Sequence, residues 1–114
     1  MVAGKYAVRE LAVEVKHLES GWTIRIPELG VGASGFGQDK ICIGAVYLAT
    51  RIPDRIDPEI MAVAAIPRDN GVVIQLYPRS YLEAEFALTS NPLDTLKALH
   101  RSLPVGSALV PTLW

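Results

Sequence analysis

The chain has 114 residues, half of them hydrophobic and a fifth charged, which is about one domain with a modest core and no compositional sign of disorder. Eleven basic residues against twelve acidic ones leave a formal net charge of -1, so no global positive field exists to neutralise many phosphates, and nucleic-acid binding would need a local patch. A single cysteine, Cys42, excludes an intramolecular disulfide framework, and two widely separated histidines, His17 and His100, give no spaced cluster for a structural zinc, so neither metal nor cofactor is expected.

Lys5, Arg9 and Glu10 interrupt the N-terminal stretch before a long apolar run develops. That pattern starts neither a signal peptide nor a membrane span, and the expectation is a cytoplasmic protein with no membrane partner. From Leu11 to Leu18 apolar Leu11, Val13 and Val15 alternate with Ala12, Glu14 and Lys16, the period of a strand with one wet face. His17 falls on the apolar side of that pattern, which predicts a partly buried imidazole. Glu19-Ser20-Gly21 supplies turn chemistry, and Trp22, Ile24 and Ile26 alternate with Thr23 and Arg25 in a second strand, so the two read as an antiparallel hairpin.

Pro27 ends or edges that strand, and the glycine-rich stretch from Gly30 to Gly37 accommodates a short third strand around Val31 to Ser34. Ile41, Ala45, Leu48 and Ile52 then recur at helical spacing, which predicts an amphipathic helix from about Gln38 to Arg51, closed before Pro53. After a proline-containing connection, Ile60 to Ile66 returns to strand-like composition, weakened by its alanines. Arg68-Asp69-Asn70-Gly71 is a strong turn signal and links that strand to residues 72–77 as a second hairpin. Leu82, Phe86 and Thr89 share a helical face, and Asn91 reads as the N-cap of a further helix, with Pro92 at its first position, Asp94 in its first turn and Leu93, Leu96, Leu99 and Leu103 along one side. The uncharged end, residues 105–114, is expected to dock on the body or on a second subunit.

Gly30-Val31-Gly32-Ala33-Ser34-Gly35 has the spacing of a dinucleotide-binding loop. That chemistry needs a parallel strand before the glycines and a helix opening within them. Here the preceding strand belongs to a hairpin, the helix begins too late, and Asp54 and Asp57 come before the fourth strand, whereas the ribose-binding acid follows the next strand. A glycine-rich turn and short strand is the plainer account. Cys42 lies among Ile41, Ile43 and Ala45, a setting for an inert buried thiol, and nothing places His17 or His100 beside it as a base. Glu14, Glu28, Asp39, Asp54, Asp57 and Glu59 are interleaved with Lys16, Arg25, Lys40, Arg51 and Arg55, which favours a solvated mixed surface over paired catalytic acids.

Gly21-Trp22, then Pro27-Glu28-Leu29-Gly30-Val31, then a helix beginning near Gln38 and a strand ending at Pro67 follow one another in an order that resembles the HicB-like antitoxin domain. The resemblance runs from Val13 to Pro67, and the sequence departs from the family pattern by lacking a proline before Gly30. It implies an α+β fold, an antiparallel three- to four-stranded sheet with one packed helix, followed by a strand and two short helices. It divides the chain into a HicB-like part, residues 1–67, and a strand-helix-helix segment, residues 68–114. The implied activity is not enzymatic: a module that binds and blocks a small RNA-cleaving toxin-like protein. A homodimer is expected, with Trp22, Glu28, Leu29, Val31 and Phe36 as partner-contact residues along the sheet edge and the Pro27 to Phe36 segment, because an exposed edge strand offers unpaired amides and carbonyls to a partner.

Residues 72–103 also have the strand-helix-helix order of a ribbon-helix-helix DNA-binding unit. On that alternative Val73, Gln75, Tyr77 and Arg79 would face DNA, and Asn91 would hold a phosphate at the second helix's N-terminus. Its rival is a second hairpin strand with two packing helices. A third alternative is a structural or host-interaction protein reusing the same fold.

Overall fold

The computed structural model describes residues 8–50, 59–69, 71–86 and 92–111. The elements follow in the order β1 (Arg9–Leu18), β2 (Gly21–Ile26), a 3₁₀ turn at Pro27–Leu29, β3 (Val31–Gly35), a second 3₁₀ turn at Gln38–Lys40, α1 (Ile41–Thr50), β4 (Ile60–Arg68), β5 (Gly71–Pro78), α2 (Arg79–Phe86), α3 (Pro92–Ser102) and β6 (Ala108–Pro111). The expected α+β class is what forms, but the sheet has six strands rather than three or four, in the order β3-β2-β1-β5-β4-β6, with every neighbouring pair antiparallel. The added edge strand is β6, cut from the apolar C-terminal stretch, which docks on the body by pairing with β4.

Both predicted hairpins are present, β1 with β2 and β4 with β5, the second closing where Arg68 pairs with Gly71. The sheet runs unbroken across the boundary at residue 67, because β5 pairs with β1 on one edge and β4 on the other. Asn91, Asp54, Asp57, Arg51, Ile52 and Arg55 lie outside the described residues.

One face of the sheet is covered by α1. Leu11 and Val13 of β1, Trp22, Ile24 and Ile26 of β2, Val63 and Ala65 of β4, and Val72, Ile74 and Leu76 of β5 pack there with Ile41, Ala45, Val46 and Ala49 of the helix. Among the described residues the opposite face is covered only towards β6, where Ala62, Ala64 and Ile66 of β4 and Tyr77 of β5 meet Leu82 of α2 and Leu99 of α3. β4 is therefore buried on both faces, and its alanines keep the two helical layers close to the sheet. Over β1, β2 and β3 no element among the described residues covers that second face, and Ala12, Glu14, Lys16, Arg25 and Ser34 are exposed on it. Glu14 and Arg25, directly opposite in the β1–β2 register, form an exposed ion pair at 3.6 Å.

His17 is exposed, against the expectation from its period. His17 lies opposite Trp22 in the β1–β2 register but beyond Val13, the last residue of β1 paired with β5, so among the described residues no strand flanks it on that side. No helix among the described residues is long and apolar enough to cross a membrane.

Candidate functional site

The segment from Gly21 to Gly37 is built around Trp22. Its indole is 4 % exposed, and its Nε1 donates to the Gly37 carbonyl at 2.8 Å. The ring is seated between Gly35 of β3 and Gly44 of α1: a Cβ on Gly35 would stand 2.6 Å from it and a Cβ on Gly44 2.7 Å, so neither position accepts a side chain without displacing the ring. Leu29, also buried, anchors the turn before β3, and Gly30 follows in the left-handed region at φ 64°, its amide bonding back to the Ile26 and Pro27 carbonyls. The glycines of residues 30–37 serve strand geometry and one aromatic ring. β3 runs antiparallel to β2, and α1 opens at Ile41, beyond the last of them.

Of the sequence-derived contact residues, Trp22 and Leu29 are interior and act by packing. Glu28 is exposed and pairs with Arg9 at 2.6 Å. Val31 is half-buried at the start of β3, and Phe36, immediately after it, is 75 % exposed. Phe36 approaches Gly21, and Leu18 lies exposed beside that corner of the sheet.

β3 is an edge strand: among the described residues its only partner is β2. Its sequence, Val-Gly-Ala-Ser-Gly, contains no charge and no proline, and its register with β2 is continuous, without a bulge. Natural edge strands are blunted by lysines, prolines, bulges or cover, because their unpaired amides and carbonyls otherwise template another strand. Among the described residues β3 has none of those devices. The opposite edge, β6, has four residues and ends in Pro111.

Beside β3, α1 carries no charged residue over its ten positions, and Ile43 and Tyr47 are 49 % and 59 % exposed. Positions 43 and 47 share one side of a helix, and the burial of Ile41, Cys42, Ala45, Val46, Leu48 and Ala49 turns that side away from the sheet. Gly44, on the flank between the two, touches the Trp22 ring. Sequence reading passed over Ala33, Ser34, Ile43 and Tyr47. The available signal was the run from Leu29 to Gln38 and the run from Ile41 to Thr50, both free of charge.

The residues of the DNA-facing alternative sit elsewhere. β5 is bonded along both edges, to β1 and to β4, so neither edge is open to a strand from a second copy. Val73, Gln75 and Tyr77 share the face turned towards α2 and α3, with Val73 and Gln75 half-buried and Tyr77 buried. The Tyr77 hydroxyl donates to the Gln75 side-chain carbonyl, and the Gln75 amide donates to Glu10, which also receives Arg68 at 3.1 Å. Arg79 pairs with Glu83 one turn along α2 at 2.7 Å.

Burial, reinforced by Tyr81 and Glu10, pushes the Tyr77 phenol from about 10 up to about 12. The folded state thus holds a proton that the unfolded chain releases near pH 10. This stabilisation is complete below pH 10 and is lost as pH rises through about 12. Stability to urea is expected to fall across that window in the wild type and to fall less in Tyr77→Phe. A phenolate absorbance difference between the two that appears already at pH 10 would contradict the buried setting.

Burial also pushes the Cys42 thiol up, opposing the thiolate that a nucleophile requires. Among the described residues no group of three or more His, Cys, Asp or Glu side chains is placed to hold a metal ion. No protein-family model matches the chain, and neither a curated protein nor a solved structure does.

Proposed function

We propose that the chain is a non-catalytic protein-binding module that receives a partner's strand on the outer edge of β3. One observation carries the reading: an open edge of five uncharged residues, Val31 to Gly35, fixed in place by the Trp22 ring behind it. Strand addition suits such an edge because main-chain hydrogen bonds supply affinity, while side chains alternating along the strand supply selectivity. Val31, Ala33 and the neighbouring Phe36 are the side chains available for selectivity here. The surface described asks nothing more of this chain than binding.

The test is recovery of partners by affinity-tagged protein from its native host, wild type against Ala33→Lys. A partner recovered in stoichiometric amount by the wild type and lost with the variant is the expected result, with amide exchange over residues 31–35 slowed in the complex. Equal recovery by both proteins would overturn the assignment to β3.

A further inference from the structure

We infer that the strand received by β3 is the β3 of a second copy of this chain, arranged antiparallel about a two-fold axis through Ala33. The inference rests on the β3-edge reading above and names its partner. Antiparallel strands bring directly opposite residues to the same face. A two-fold perpendicular to the sheet must therefore pass through a residue and cannot pass between two. Of the positions in β3, only Ala33 lets all five residues pair.

That register is complementary. Val31 falls opposite Gly35 of the second copy, so a branched side chain meets a position without one, while Gly32 falls opposite Ser34 and Ala33 opposite itself. No charge is placed against its own image. Phe36, 75 % exposed in the single chain, comes opposite Gly30 of the second copy. The two copies of β2 stand about 14 Å apart at ~4.8 Å per strand, and the exposed Phe36 side chains flank the junction. The product is a closed, isologous dimer with one continuous twelve-stranded sheet, twice the six of a single chain.

The experiment is sedimentation velocity of the full chain across a hundredfold concentration range, with Ala33→Lys, Ala33→Glu and their equimolar mixture run alongside. The wild type is expected to be a dimer that dissociates on dilution. Each variant alone places like charges directly opposite at the axis and should weaken association by about tenfold or more. The mixture places Lys against Glu and should restore a dimer. Phe36→Lys, just outside the five-residue ladder, should also weaken association, which keeps the test open should either Ala33 variant fail to fold by circular dichroism.

A wild type that stays monomeric throughout would overturn the second copy as partner while leaving the edge reading to its own capture assay. Dimers unaffected by every variant would move the contact off β3. Weakened variants that the mixture fails to restore would overturn the two-fold at Ala33.

Discussion

Trp22→Ala should lower folding stability by about 3–5 kcal/mol, the usual range for emptying a buried aromatic site. Domains of this size have roughly 5–15 kcal/mol in total. The site is poorly able to collapse, because its walls are backbone: Gly35 on the strand side and Gly44 on the helix side have no side chains to fall into the void. The Gly37 carbonyl also loses the indole N–H that ties it to β2. Urea denaturation checks the magnitude, and a loss under about 1 kcal/mol would mean that the ring is not the support claimed for it. The reverse change is informative too. Gly44→Ala pushes a methyl to within 2.7 Å of the ring and should cost about 1–3 kcal/mol by overpacking. Combined with Trp22→Phe the two changes should be less than additive, since a smaller ring frees the space the methyl needs.

The behaviour of Trp22 shows where the sequence was readable and where it stopped. Alternation along β1 and β2, turn chemistry at residues 68–71 and the leucine spacing of α3 are local signals, and the elements follow them closely. His17 is exposed against its period because period assigns a face but does not say how far the neighbouring strand β5 extends. β6 carries no alternation, since residues 108–111 are a short mixed run whose strand geometry is imposed by pairing with β4. The alanines of β4 weakened its strand signal for the reason that they are needed there, as a central strand with helices on both faces favours small residues. Strand order was also hidden: a chain that lists β4 before β5 does not reveal that β5 is the one beside β1.

At the site, the glycine spacing of residues 30–35 was ambiguous in isolation. Its meaning came from a tryptophan in the preceding strand and a glycine in the following helix. Trp22 and Leu29 were drawn to the surface by their place in a family-like segment, yet burial makes them the frame of the edge. The exposed residues of that edge are small and chemically quiet, which is why a search for reactive or charged side chains passes over them.

Leu99→Ala should cost about 2–5 kcal/mol and should do so without weakening self-association through β3. Leu99 is almost fully buried on the inner face of α3, packed in one cluster with Leu82 and with Ala62, Ala64, Ile66 and Tyr77 of the strands beneath. Because two of the four buried strand residues in that cluster are alanines, the leucines of α2 and α3 contribute much of the apolar volume there. Removing three carbons from Leu99 leaves a cavity that β4, held between two layers, cannot move to fill. This cluster belongs to the β4 side of the sheet, and β3 lies at the opposite edge, with β2, β1 and β5 between them. The substitution therefore separates stability from binding: a lowered urea midpoint with wild-type sedimentation under native conditions is the expected pair of results. Ala33→Lys should show the opposite pair, a near-native midpoint at concentrations where the wild type is monomeric and a weakened dimer. If Leu99→Ala dissociated the dimer as effectively as Ala33→Lys while remaining folded, the junction would involve the α3 side of the molecule, and the edge of β3 would lose its claim to be the docking element.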